Sequence, residues 1–330
     1  MSNTIDSLLV VGCGSAGARH AKNLQKLGVQ RIVLFDPDDD DASRLASELS
    51  AETVDSVEDG LKSGVDGVVV ASPPNRHLDA SCLAIEAGVS CFVEKPFAES
   101  LDGLGELVDL AEQRELFIMI GYNLRYFSPL IELKRMISSG KLGRILTVRA
   151  EFGQYLPTWR KDGDYRKNYI ASPWPVGGII LEESHEFDCV QWLAGPVDSV
   201  YCAAGKLSDL DLEAEDTALI VMRHKNGTLS HISVDCTQRG YKRGVHVVGT
   251  EGTASWTFPG ELSIVRDAGD PEIQNFDQDF NTTYELEMGQ FLECLRGSAV
   301  PEVGGREAME SLRITLAARE SASSGSEVGI

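Results

Sequence analysis

The sequence predicts an α/β protein in two parts. An N-terminal doubly wound parallel sheet is followed by an α+β part built on one mainly antiparallel sheet. Three observations predict this. Residues 8–11 form a short apolar run that opens onto Gly12, Gly14 and Gly17, then a helix-forming stretch stopped by Gly28. Apolar runs then alternate with helix-like stretches as far as residue 121, the pattern of a parallel sheet with helices on both faces. Beyond residue 140, strand-like segments crowd together without alternating helices, which suggests an antiparallel sheet covered on one face. The expected domains are therefore 1–121 and 122–330, abutting with no flexible linker and no internal repeat.

Composition bounds the function. The 330 residues are enough for one large or two medium domains, and 42% hydrophobic residues support a packed core. A formal net charge of −21 argues against nucleic acid and anionic membrane surfaces as partners, since both need basic patches. The seven cysteines (13, 82, 91, 189, 202, 236 and 294) include no C-x-x-C pair, and several lie in apolar stretches. Reduced, buried thiols are expected rather than disulfides or a metal site. The N-terminus lacks a basic region followed by a long apolar core, and no apolar run reaches membrane-spanning length. A soluble, cytoplasmic protein is expected.

The first element carries the clearest chemistry. Strand, tight turn and helix with G-x-G-x-x-G spacing suit a dinucleotide. Gly12 permits the turn, Gly14 lets a diphosphate approach the backbone, and Gly17 lets helix and strand pack closely. The amides of Ser15, Ala16 and Gly17 at the helix start, with the positive end of the helix dipole, would meet the phosphates. A second apolar run, residues 31–35, ends at Asp36, where a ribose-binding carboxylate is expected. That charge, with Asp38 to Asp41 nearby, would repel the extra phosphate of NADP, so NAD is the expected cofactor.

The following strands end in polar segments. Residues 67–71 lead into Ser72, Pro73, Pro74, Asn75, Arg76 and His77, where Asn75 can cap the next helix. Residues 90–93 run into Glu94-Lys95-Pro96, and residues 116–120 into Gly121 and the segment Tyr122–Asn123–Leu124–Arg125. Ligands of parallel sheets bind outside the carboxyl ends of strands. Ser72, Pro73, Asn75, His77, Glu94 and Lys95 thereby join the glycine turn and Asp36 as candidate cofactor ligands. A lysine between apolar walls and another cation can exchange protons near neutrality; the alternative for Lys95 is a surface lysine paired with Glu94.

In the second part, helical patterns cover residues 129–140, 284–296 and 306–322. Strand-like runs cover 144–153, 197–206, 217–224, 228–236, 245–249, 253–258 and 261–265, with Asn226-Gly227 as a hairpin turn. Residues 177–195 read GGIILEESHEFDCVQWLAG. If this stretch is helical from about residue 179, Glu182, His185 and Asp188 follow one another along one side. A carboxylate beside the imidazole would orient it for acid/base work. The alternatives are a polar exposed face, or a metal site that nothing elsewhere in the chain completes. Trp159, Arg160, Tyr165 and Arg166 form an aromatic and basic cluster suited to sugar rings and their anionic substituents, or to a neighbouring subunit.

The series GCGSAG, ASPPNRH, EKP and GYNLRYFSP, followed by GGIILEESHEFDCVQWLAG, resembles the Gfo/Idh/MocA family of nicotinamide-dependent oxidoreductases. The resemblance implies a Rossmann NAD-binding domain followed by an α/β domain with an open, largely antiparallel sheet. It implies that Lys95 takes part in proton transfer, that a cis bond precedes Pro96, and that His185 serves as acid/base with Glu182 or Asp188 beside it. It also implies that Asn123 and Arg125 line the junction of cofactor and substrate, and that homodimers or homotetramers form through the second sheet. The segment around Trp159 resembles a subgroup associated with surface-polysaccharide sugars. The expected activity is hydride transfer between NAD and a secondary hydroxyl or ketone of a sugar, sugar acid, polyol or nucleotide sugar. The rivals are an enzyme that retains NAD and oxidises transiently to cleave glycosides, and a non-catalytic NAD- and sugar-binding sensor.

Overall fold

The structure, a computed structural model, describes residues 5–159, 163–266 and 269–330. The chain forms two compact units, Met1–Asn123 with Phe280–Glu310, and Leu124–Asp279 with Ser311–Ile330. The division expected at 1–121 and 122–330 treats each part as one continuous stretch; the compact units are not continuous.

In the first unit, β1 (Ser7–Val11), α1 (Ser15–Lys26), β2 (Arg31–Phe35), α2 (Asp39–Leu49), β3 (Glu52–Thr53), α3 (Val57–Lys62), β4 (Gly67–Val70), α4 (His77–Glu86), β5 (Cys91–Glu94), α5 (Leu104–Gln113) and β6 (Ile118–Gly121) follow in order. The six strands pair in the order β3-β2-β1-β4-β5-β6, all parallel. Every residue of β1 and β4 is buried, as expected of central strands covered on both faces. The strand order reverses between β1 and β4, so the ligand crevice lies at the carboxyl ends of these two strands. Asp38 caps α2, its Oδ1 accepting the amides of Asp40 and Asp41 at 3.0 and 3.4 Å. Asn75 does not cap α4. It sits in a short 3₁₀ turn before the helix, which starts without a side-chain cap.

The second unit contains α6 (Ser128–Ser138), β7 (Ile145–Gly153), α7 (Ile179–Glu182), α8 (Ser184–Ala194), β8 (Val197–Gly205), β9 (Thr217–His224), β10 (Leu229–Asp235), β11 (Lys242–Gly249), β12 (Thr253–Thr257), β13 (Glu261–Val265) and β14 (Glu272–Asn275). The chain then returns to the first unit with α9 (Phe280–Leu295). The division between the units falls inside α10 (Gly305–Ser324), and β15 (Val328–Gly329) closes the chain. Nine strands pair in the order β14-β13-β12-β11-β7-β10-β9-β8-β15, antiparallel except for β7 with β10. Asn226-Gly227 turns the chain between β9 and β10, with Gly227 at φ +87°. Packing covers one side: α8 lies on β7 and β10, α7 on β9 and β10, and α6 on β12 and β13. Across β8–β10, Tyr201, Val221 and His231 stand in one row, and Ala203, Leu219 and Ser233 in the next. Leu219 and Val221 on this side are 56% and 51% exposed.

The expected continuous helix through Glu182, His185 and Asp188 is interrupted. Glu183 leaves helical geometry at φ −94°, ψ 39°, which puts Glu182 on α7 and the other two on α8. Glu183 and Glu186 form a buried ion-pair cluster with Arg243. All seven cysteines are free thiols, six of them buried and Cys82 partly so. Among the described residues no helix is long and apolar enough to cross a membrane.

Candidate active site

The crevice of the first unit is built on glycine geometry. Gly12 has φ +95°, and a Cβ there would lie 2.7 Å from the Ala71 carbonyl. A Cβ on Gly17 would lie 1.7 Å from the Gly12 oxygen, so only glycine allows α1 to start so close to β1. Gly14 differs, because a Cβ there meets nothing within 4 Å. Gly14 is also the N-cap residue of α1 and provides no side-chain acceptor. The first-turn amides of Ser15, Ala16 and Gly17 are therefore uncapped beside open space. Asp36 closes the crevice beyond β2. Its Oδ2 accepts the Cys13 amide at 2.6 Å and its Oδ1 the Asp38 amide at 2.9 Å. Burial, then the Asp36 charge, push the Cys13 thiol up to about 12, so this loop cysteine stays a neutral thiol.

Past β4, Ser72 is half-buried, while Pro73 and Asn75 are exposed. The Ser72 hydroxyl is buried and has no hydrogen-bond partner among the described residues. His77 was expected to bind cofactor, but it is only 1% exposed. Its Nδ1 lies 2.9 Å from the Pro96 oxygen and its Nε2 2.7 Å from the Ser72 oxygen, so the ring ties the loop after β4 to the loop after β5. Burial lowers its pKa against the pull of those carbonyls. Glu94 is the last residue of β5; Lys95 follows it, and the Lys95–Pro96 bond is cis.

Glu94 has a partner the sequence reasoning missed. His20 on α1 is fully buried, with Nε2 2.6 Å from Glu94 Oε1. Glu94 Oε2 accepts the Lys95 amide at 3.1 Å. Burial opposes ionisation of Glu94, but the His20 hydrogen bond and the Lys95 charge outweigh it and hold the carboxyl below its ordinary range. The only signal in the sequence was a histidine one helical turn beyond Gly17. Asn123, expected at the substrate, is buried and donates from Nδ2 to Thr283 Oγ1 at 2.7 Å.

In the second unit, His185 on α8 is 8% exposed and Glu182 on α7 is half-buried. Asp188 was expected beside His185 and Arg125 at the substrate. Instead, Arg125 donates to both oxygens of Asp188 at 2.8 Å, and Ser311 Oγ reaches Oδ1 at 3.3 Å. Both charged groups are at most 3% exposed, so they form a buried fork that fixes α8 to the turn before α6. Trp159 and Tyr165 line a pocket of about 180 Å³ with Leu156, Asp164, Lys167 and Asn168. The Tyr165 hydroxyl accepts the Asp211 amide at 3.0 Å, and exposed Arg166 pairs with Asp164 at 2.7 Å. Arg160 lies outside the described residues. Among the described residues no three His, Cys, Asp or Glu side chains form a group that could hold a metal ion.

The sheet order, the glycine turn and the open helix start define a dinucleotide-binding protein of Rossmann type. The family model for the NAD-binding Rossmann fold of the oxidoreductase family matches residues 7–122, and that for its C-terminal alpha/beta domain matches residues 134–330. The chain belongs to the Gfo/Idh/MocA oxidoreductase family. It is 28% identical to a myo-inositol dehydrogenase of Streptomyces leeuwenhoekii, covering 97% of this chain and 98% of that one. It is 27% identical to the scyllo-inositol 2-dehydrogenase (NAD(+)) of Bacillus subtilis, over 97% and 94%. The WlbA dehydrogenase from Bordetella pertussis, solved with NADH and UDP-GlcNAcA, superposes with a TM-score of 0.85 at 22% identity, covering 100% of this chain and 99% of that one.

Proposed function

We propose that the chain is an NAD-dependent dehydrogenase that interconverts a secondary hydroxyl and a ketone on a cyclic polyol or sugar-like molecule, with Lys95 and His185 as its proton-transfer pair. The observation that carries this reading is convergence. The glycine turn, Asp36, Ser72 and Lys95 all follow the carboxyl ends of strands in one sheet, beside its switch point. Open space at Gly14, the uncapped first turn of α1 and the unpartnered Ser72 hydroxyl fit a dinucleotide there. Support for the substrate class comes from the two inositol dehydrogenases that align over nearly the whole chain.

In this reading the amides of Ser15, Ala16 and Gly17 hold the diphosphate and Asp36 the ribose hydroxyls. The bound nicotinamide supplies the two-electron acceptor. Lys95 takes the hydroxyl proton as the carbon is oxidised, and His185 on α8 shares in that proton transfer. The Arg125–Asp188 fork and the Arg243–Glu183–Glu186 cluster keep α8 in place. Trp159 and Tyr165 offer aromatic surface to a ring, with Arg160 and Arg166 nearby in sequence. The exposed face of β8–β10 pairs between copies to make a homodimer or homotetramer, and seven free thiols suit a reducing cytoplasm.

The test is nicotinamide absorbance with purified protein, NAD or NADP, and a panel of inositols, sugars, sugar acids and nucleotide sugars. Reduction of NAD by a cyclic polyol is expected, and Lys95→Ala should abolish it. Wild-type turnover in Lys95→Ala would sink the mechanism.

A further inference from the structure

Behind Lys95 the first unit buries more ionisable groups than packing requires. Glu287 on α9 is completely buried, and neither carboxyl oxygen has a hydrogen-bond partner among the described residues. One turn earlier on the same helix is Tyr284, its ring 6.0 Å from that of His20 and 4.3 Å from the Arg19 guanidinium. His20 in turn holds Glu94, whose other oxygen holds the Lys95 amide. A buried carboxylate without partners is far costlier than the neutral acid. Burial, then the charge of Glu94, push Glu287 well above the ordinary carboxyl range, whereas Glu94 is held below it. Two neighbouring carboxyls that cannot both ionise divide into one anion and one neutral acid.

We propose that Glu287 is a positioning residue for proton transfer: by staying neutral beside Glu94 it leaves a single carboxylate facing Lys95. When Glu287 loses its proton as pH rises, a second negative charge arrives, and Lys95 is held as the ammonium, unable to accept the hydroxyl proton. The inference rests on the role given to Lys95 above. The groups facing this pair are Lys95 just after β5, His20 and Arg19 on α1, His77 on α4 and Tyr284 on α9. Burial raises Tyr284 to about 12, far above the ordinary carboxyl range, and lowers His77, which favours its neutral ring.

The experiment compares wild type with Glu287→Gln and with Glu287→Met, two variants that lack the proton and differ in polarity. On the apoprotein, infrared spectroscopy reads the neutral-carboxyl C=O band at neutral pH. With myo-inositol and NAD, kcat is followed from about pH 5 to pH 10. The expected result is a neutral-carboxyl band that both variants lose. The alkaline decline of kcat should also move upward by about one pH unit, so that relative turnover at the top of the range rises about tenfold. Absence of the band in wild type, or superimposable pH profiles, overturns the proposal. A Lys95→Met variant separates the two readings. If it is inactive while the Glu287 profiles superimpose, only this inference falls; if it keeps full turnover, the role of Lys95 falls and takes this inference with it.

Discussion

At Glu287 a single carboxyl couples stability to pH in a direction opposite to that of most acids. Its proton is held in the folded chain well above the ordinary carboxyl range in which the unfolded chain releases it. The native state therefore binds more protons than the unfolded state across that window, and stability falls as pH rises from the lower value through the higher. Glu287→Gln removes this slope. The Tm of the apoprotein variant, relative to wild type, should rise steadily from about pH 5 to pH 8 by scanning calorimetry; a constant difference would mean that the carboxyl is ionised in the fold. Asp36 has a simpler role. Its carboxylate accepts two backbone amides, and in the proposed reading it holds the ribose hydroxyls, where NADP would bring an extra phosphate. Asp36→Ser should weaken NAD binding about tenfold, the loss of roughly one charged hydrogen bond. The affinity ratio of NAD to NADP should close further than that, and fluorescence titration of both cofactors checks it. Asp36 was legible because a strand end fixes where its carboxylate goes. The partnership of Arg125 with Asp188 was hidden, because both residues stood out by type while the contact that joins them spans 63 positions.

Among the elements, β1, α1 and the turn between them were the most legible, since glycine spacing encodes backbone geometry directly. The structure separates two glycines that the motif treats alike. Gly17→Ala would drive a Cβ to 1.7 Å from the Gly12 oxygen, so α1 must move. Overpacking of this kind should cost about 1–3 kcal/mol of stability as well as the cofactor site. Gly14→Ala meets nothing, at an ordinary φ of −65°. It should leave Tm unchanged while weakening NAD binding by about tenfold or more, because a methyl there would stand in the approach proposed for the diphosphate. Calorimetry and NAD titration of both variants distinguish them; equal losses of stability would remove the argument. The break between α7 and α8 was not legible. Residues 179–194 carry no glycine or proline to announce it, and the departure at Glu183 goes with a buried ion pair to Arg243, supplied by β11. Short edge strands such as β3 and β15, two residues each, had no apolar run to mark them.

At the scale of the whole molecule, the alternation of strands and helices reveals a parallel sheet, and the crowding of strands an antiparallel one. Periodicity says that α9 is a helix, yet not which sheet it serves. Its return to the first unit, packed on α1, brings Glu287 and Tyr284 close to Glu94. Nor does periodicity say which side of the large sheet lacks a helical cover, because residues 217–222 are apolar on both faces; burial does. On β9, Ala218, Ile220 and Met222 are buried, while Leu219 and Val221 alternate with them on the open side, flanked by Tyr201 at 46% exposure. Such an apolar patch on an open sheet is more than scattered surface hydrophobes, and a second copy of the same face is a partner able to cover it. Light scattering on the wild-type protein should accordingly give a mass that is a multiple of the 35.8 kDa chain. The double variant Leu219→Lys, Val221→Lys places like charges on both sides of such a contact and should bring the mass toward a single chain. Both positions point away from the core, so the variant's calorimetric transition should persist. A wild-type protein that runs as one chain would remove this assignment of the exposed face.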